Sequence, residues 1–232
     1  MKKILISDYD ETFYLNDEDI KNNVNLLNKY QEKIELIIAT GRSYYDFLKK
    51  KNKYNIICNY IILNHGATIL YKDKIIYNVL IDNNIKKELV NFLNIRDNEN
   101  VFCCSELESR VSINMDNLTK IHINYGDEIL AKKIYGELNA RYSKYINCFL
   151  VSKCKAIEIV AKSVDKKEAI LKLIEQKKIN KDNIYVVGNG DTDYEMLKYF
   201  NGFKMEFCSK KIESLEIETV KSVGDLIKKM IN

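Results

Sequence analysis

Proline is absent from the 232 residues, and glycine occurs only 8 times, about half its usual share of roughly 7%. The first absence removes proline-rich linkers and any cis-proline device. The second makes the few glycines that sit among acidic residues informative. Arginine is also scarce: Arg42, Arg96, Arg110 and Arg141 are the only ones among 37 basic residues, and the 33 acidic residues leave a net charge of +4. The lysines are interleaved with acids and asparagines along the whole chain instead of forming a stripe, which argues against a nucleic-acid surface. Only two histidines are present, His65 and His122, and the six cysteines contain no CxxC pair, so no zinc cluster can be assembled. The cysteines are expected to be reduced thiols, mostly buried. No apolar run approaches the roughly 18 residues of a membrane span, and the apolar stretch after Met1-Lys2-Lys3 is too short for a secretory signal. A cytosolic protein with no membrane partner is expected. GxSxG, GxxxxGK[ST] and GxGxxG are all missing, which excludes a hydrolase elbow, a Walker loop and a dinucleotide fingerprint.

Hydrophobic residues make up 46% and charged residues 30%, ordinary shares for a globular protein, and the length suits a core with a modest second unit. Lys3–Ser7, Ile34–Ala39 and Tyr60–Leu63 are short apolar runs of buried strands, alternating with helices at about 20–30, capped by Asp17 or Asp19, and 44–51. That alternation predicts a doubly wound α/β core with a Rossmann-like parallel sheet. After a hairpin at 68–77 the pattern changes. A helix near 84–94, strands near 109–114 and 119–124, a helix near 127–141 and strands near 145–151 and 155–160 predict an αββαββ unit with a four-stranded antiparallel sheet. From Lys166 the α/β alternation returns: a helix at 166–177, a strand at 184–187, a helix near 193–200, a strand near 203–207 and a last helix near 222–231. The expected division is a core of residues 1–79 and 161–232 with a smaller α+β cap inserted at 80–160, hinged near 79–82 and 160–164 and able to close over the core.

Chemistry-bearing residues gather at the predicted strand ends, where open parallel sheets bind ligands. Asp8-Tyr9-Asp10-Glu11-Thr12 follows the first strand, and its two acids can divide nucleophilic or metal-binding work from proton transfer; an N-cap cluster is the bland alternative. Thr40-Gly41-Arg42-Ser43 joins a hydroxyl, a glycine amide and a helix start into an anion cradle. Gly188-Asn189-Gly190-Asp191-Thr192-Asp193 closes another strand. Lys166, by itself, reads as a solvated lysine, and His122 as an exposed strand-face residue.

With those motifs in that order, the chain resembles the haloacid dehalogenase-like phosphatases, in the Cof-type sugar-phosphate branch with a class II cap. DxDxT is present at 8–12, TGRS at 40–43, an NGA-like His65-Gly66-Ala67, a motif lysine at Lys166 and a GDxxND-like block at 188–193. The resemblance implies that Asp8 attacks phosphorus to form an aspartyl-phosphate, and that Asp10 protonates the leaving alcohol and then activates water. It implies that Thr40 and Lys166 hold the phosphoryl oxygens, that Gly41 and Arg42 also bind the substrate, and that Mg²⁺ is held by Asp8, the Asp10 carbonyl, Asn189 and Asp193. The partner would be a small phosphorylated metabolite. Two positions depart from the pattern: Glu11 stands where glycine is usual, and Asn189 where an acid is usual, so weaker metal binding is expected, with Asp191 or Asp193 to compensate. A catalytically weak relative that binds a phosphorylated ligand as a sensor, and a phosphomutase, are the rival readings.

Overall fold

The computed structural model describes residues 2–232. The chain begins with β1 (Lys3–Ser7), α1 (Asp17–Lys29), β2 (Ile34–Ala39), α2 (Tyr44–Lys53), β3 (Tyr60–Leu63), β4 (Thr68–Tyr71) and β5 (Lys74–Asn78). A second group follows: α3 (Asn83–Leu93), β6 (Val101–Cys104), β7 (Ser109–Val111), β8 (Lys120–Asn124), α4 (Glu128–Tyr142), β9 (Ile146–Val151) and β10 (Ala156–Ala161). The chain ends with α5 (Lys166–Lys177), β11 (Ile184–Gly188), α6 (Tyr194–Tyr199), β12 (Asn201–Met205), α7 (Lys210–Glu213), β13 (Glu218–Val220) and α8 (Val223–Ile231).

The first and last groups share one sheet, ordered β13-β12-β11-β1-β2-β3-β4-β5. Its strands from β13 to β3 are parallel, and the β4–β5 hairpin adds an antiparallel edge. The period-2 alternation of β1 sorts its side chains onto the two faces: Leu5 packs with residues of α1 and α8, while Ile4 and Ile6 pack with residues of α5 and α6. Because β1 lies between β2 and β11, the winding reverses there, and the carboxyl end of β1 is the place where such a sheet opens a crevice. Helix α1 is capped one residue before the earlier of its two expected caps. Asn16, not Asp17 or Asp19, accepts from the Glu18 and Asp19 amides, since its amide oxygen satisfies two of the free first-turn donors.

The inserted group forms its own antiparallel sheet, β7-β6-β8-β10-β9. It has five strands, not the expected four. The additional one, Val101–Cys104, is a four-residue run between polar stretches, too short to show a period, and it pairs with β8 from Val101 opposite Ile123 to Cys104 opposite Lys120. One face of this sheet, with Cys103, Ile121, Ile157 and Ile159, buries against Leu89 of α3 and Leu138 of α4. The opposite face carries Phe102, Lys120, His122 and Glu158. All six cysteines are free thiols, four of them buried, and burial pushes Cys103 up to about 12. Among the described residues no helix is long and apolar enough to cross a membrane.

Candidate active site

Strand β1 hands its ladder on by one residue: the Asp8 amide donates to the Val187 carbonyl at 3.0 Å. The chain then curls back, with the Asp8 carbonyl accepting from Ser7 Oγ at 2.7 Å and from the Phe13 amide at 3.1 Å. Tyr9 and Phe13 anchor this loop in the core, both fully buried, and leave Asp8 and Asp10 on its other side. Asp8 is buried, whereas the Asp10 side chain is 48% exposed.

Lys166 is the central side chain. It stands at the first turn of α5, 2% exposed, with its ammonium 2.6 Å from Asp8 Oδ1 and 2.6 Å from Asp193 Oδ1. The chain can bring the start of α5 so close because of Gly66. This residue has φ 113°, and a Cβ there would lie 2.4 Å from the Asp165 carbonyl oxygen, so only glycine allows the approach. Burial pushes the Asp8 carboxyl up to about 7, against the pull of Lys166, and Asp193 adds to the rise. Burial likewise works against the Lys166 charge, but Asp193 and Asp8 hold its ammonium above the ordinary range. The trio is therefore a lysine shared by two carboxylates, of which Asp8 is poorly solvated.

Thr40 lies at the end of β2, its amide bonded to the Ile62 carbonyl at 2.8 Å and its hydroxyl accepting from the Arg42 amide at 3.1 Å. Ser43 caps α2 through the Asp46 amide. Arg42, expected to bind the substrate, spends its guanidinium as a fork on Asp10, with Nε at 2.8 Å and Nη2 at 2.6 Å. It orients Asp10.

The 188–193 block departs further from expectation. Asp193, expected as a metal ligand, has both oxygens taken: Oδ1 by Lys166, and Oδ2 by the Asn189 amide at 3.0 Å and the Gly190 amide at 2.9 Å. It clamps the lysine and the loop in place. Asp191 bonds with Ser209, ahead of α7, and not with the trio. Asn189 accepts from Thr12 Oγ1 at 3.0 Å and donates to Glu11 at 3.3 Å. The two departures from the motif pattern thus touch each other. Glu11 sits at φ 57°, the left-handed region where glycine is at ease and other residues carry about 1–2 kcal/mol of strain.

Among the described residues no three His, Cys, Asp or Glu side chains gather as a metal cage. The donors at the neighbouring ends of β1 and β11 are oxygens of mixed kind: the Asp8 carboxylate and the amide oxygen of Asn189, the latter held by Thr12. One carboxylate, carbonyl-type oxygens and retained waters suit a hard dication such as Mg²⁺, so the donor set fits that ion, with one negative charge fewer than two carboxylates would provide.

His122 was expected on an exposed strand face, but it is partly buried and its Nδ1 lies 3.1 Å from Glu158. Lys120, Glu158 and the ring of His65 surround that contact. Sequence reasoning missed Lys120 and Glu158. The available signal was the polar/apolar alternation of Lys120-Ile121-His122-Ile123, which puts Lys120 and His122 on one face, and the lone acid within the apolar run Ala156-Ile157-Glu158-Ile159.

Comparison with known proteins agrees with the fold and the motif order. A family model of haloacid dehalogenase-like hydrolases matches residues 5–120 and 104–222. An uncharacterised protein of Mycoplasma capricolum is 30% identical over 249 residues, spanning 86% of this chain and 88% of its own length. Among solved structures, a HAD/COF-like hydrolase of Plasmodium vivax superposes with a TM-score of 0.85 at 17% identity, covering 99% of this chain and 95% of its own. A haloacid dehalogenase-like hydrolase of B. subtilis gives 0.79 at 16% identity, over 97% and 99% of the two chains. A Bacteroides thetaiotaomicron protein of the haloalkanoate superfamily phosphatases gives 0.75 at 17% identity, over 99% and 95%. At such identities the superpositions speak for the fold.

Proposed function

The chain belongs to the haloacid dehalogenase-like hydrolases, as a Cof-type member, and we propose that it is a Mg²⁺-dependent phosphomonoesterase acting on a small phosphorylated metabolite, with sugar phosphates favoured. One arrangement carries this reading: buried Asp8, gripped by buried Lys166 at the end of the central strand, with Asp10 two residues on. In the proposed reaction the free oxygen of Asp8 attacks phosphorus, the bond from phosphorus to the ester oxygen breaks, and Asp10 gives that oxygen its proton. Asp10 then takes a proton from water as the water attacks the aspartyl-phosphate, and cleavage of the Asp8–phosphorus bond returns the carboxylate and releases phosphate. Lys166 and the Thr40 hydroxyl would hold phosphoryl oxygens, and Arg42 would keep Asp10 oriented. A bound Mg²⁺ would neutralise charge on the phosphoryl group; Asp8, the Asp10 carbonyl and Asn189 would hold it. A panel of phosphorylated metabolites assayed for Mg²⁺-dependent phosphate release tests the proposal, and no release from any of them would overturn it.

Two metal predictions follow from particular groups. Asn189→Asp restores a unit charge at the shell and is expected to lower the half-saturating Mg²⁺ concentration by about tenfold; an unchanged or higher requirement would place Asn189 outside the shell. A wild type without turnover that gains it through Asn189→Asp would instead favour the ligand-binding relative. The second prediction concerns pH. Metal-free Asp8 is pushed up to about 7, so below that pH a cation must displace its proton. The half-saturating Mg²⁺ concentration should therefore climb as pH falls, approaching about tenfold per unit below that value, with proton release visible by calorimetry in two buffers of different ionisation enthalpy. A flat profile would remove Asp8 from the metal shell.

A further inference from the structure

Outside the Asp8 trio, the most deeply buried ionic cluster lies where the inserted sheet meets the core. Glu158 of β10 stands opposite His122 of β8 in register, and Lys120 is two residues before His122 on the same face. Glu158 Oε1 accepts from the Lys120 ammonium at 2.9 Å and Oε2 contacts His65 Nε2. The Lys120 and Glu158 side chains are only 4% and 10% exposed. Stability alone does not account for such a pair, because apolar residues of similar volume usually serve as well or better. The pair is asymmetric, however. Lys120 has a second bond, at 2.6 Å, to the carbonyl oxygen of Gly41 in the core.

Gly41 sits between Thr40 and Arg42, so whatever fixes its peptide fixes both. One side of it is held by Lys120. The other faces the His65 ring, so closely that a Cβ on Gly41 would lie 2.5 Å from His65 Cε1. His65 Nδ1 is buried without a partner, so the ring is held through Nε2 and Glu158. Both groups that grip Gly41 are thus held by the same carboxylate. The backbone completes the frame, with the His65 amide bonded to the Thr40 carbonyl at 3.1 Å and the Asn64 amide to the Arg42 carbonyl at 3.0 Å.

We infer that Lys120 and Glu158 are positioning residues through which the inserted unit sets the Thr40–Arg42 loop, and through Arg42 the orientation of Asp10. The inserted unit is then a working part of the core site and not only a cover over it: moving it off its seat breaks the Lys120 bond and loosens the loop. This rests on the phosphatase reading only for its kinetic readout.

The test compares wild type, Lys120→Met and the double variant Lys120→Met/Glu158→Gln. Lys120→Met strands a buried carboxylate and should lower Tm sharply; the double variant removes both charges and should regain most of that loss. In the double variant, amide hydrogen exchange at residues 41–43 should accelerate by about tenfold or more while β1 and β11 keep wild-type protection. With p-nitrophenyl phosphate and Mg²⁺, its kcat/KM should fall by about tenfold. A double variant with recovered Tm and wild-type exchange at 41–43 would overturn the inference, leaving Lys120 as a mere counter-charge to Glu158. If the wild type fails to hydrolyse the aryl phosphate, the phosphatase reading falls while the exchange data still decide the positioning role.

Discussion

Asp8→Asn is expected to lower phosphate release by about 10³-fold or more, since an amide oxygen is a poor nucleophile toward phosphorus and the covalent step has no substitute. The fold should not suffer. The amide oxygen can still accept from Lys166, now 2.6 Å from Asp8 Oδ1, and burial already disfavours the charged form of Asp8, which is pushed up to about 7. For an acid whose pKa is raised in the folded state, the cost of burying the charge is absent at low pH and grows as pH rises from the unfolded value toward the folded one. At pH 8 the metal-free variant should therefore melt no lower than wild type. Phosphate release and a thermal melt of the same preparation check both halves. Substantial turnover in the variant would move the nucleophile elsewhere.

Asp8 was legible because its signal is local: a run of apolar residues ending in an acid is a buried strand delivering a carboxylate to a sheet edge. The same logic located Thr40 and the 188–193 block. Lys166 was not legible in that way. Nothing in Asp165-Lys166-Lys167-Glu168 distinguishes a buried ammonium from a solvated one; its burial arises from Gly66, a hundred residues earlier in the chain, which lets the start of α5 approach. The resemblance supplied Lys166, and the packing shows why that position holds a lysine. The roles within the 188–193 block were blurred for a related reason. Spacing puts Asn189, Asp191 and Asp193 in one turn, but the direction of each side chain is set by partners far away in sequence: Thr12 for Asn189, Ser209 for Asp191 and Lys166 for Asp193. In the inserted unit the helices and the β8, β9 and β10 strands followed from periodicity, whereas β6 has too few residues to show any. The Lys120–Glu158 pair depends on antiparallel register between strands 38 residues apart, which no local pattern encodes.

Lys166→Met is expected to have the largest effect on stability. Methionine keeps the length and apolar stem of the side chain but removes the ammonium from between Asp8 and Asp193, two carboxylates with 11% and 1% side-chain exposure. Removing one partner of a buried ionic group costs about 3–5 kcal/mol, a large part of the roughly 5–15 kcal/mol that holds a domain together. For a chain of this size that corresponds to a fall in Tm on the order of 10 °C. The deficit should widen as pH rises above about 7, because the buried Asp8 carboxyl must then ionise in the folded state without an ammonium beside it. Turnover should fall as well, for a separable reason: without the pull of Lys166, burial and Asp193 drive the Asp8 carboxyl further up, so it is protonated at neutral pH and cannot attack. Adding Asp193→Asn to Lys166→Met separates the two effects. The amide oxygen can still accept from the Asn189 and Gly190 amides, now at 3.0 and 2.9 Å from Asp193 Oδ2, so much of the lost Tm should return, while turnover stays low because no ammonium holds the phosphoryl oxygens. Recovery of both stability and turnover in the double variant would mean that Lys166 serves only to balance Asp193, and phosphoryl binding would then have to be assigned to Thr40 without it.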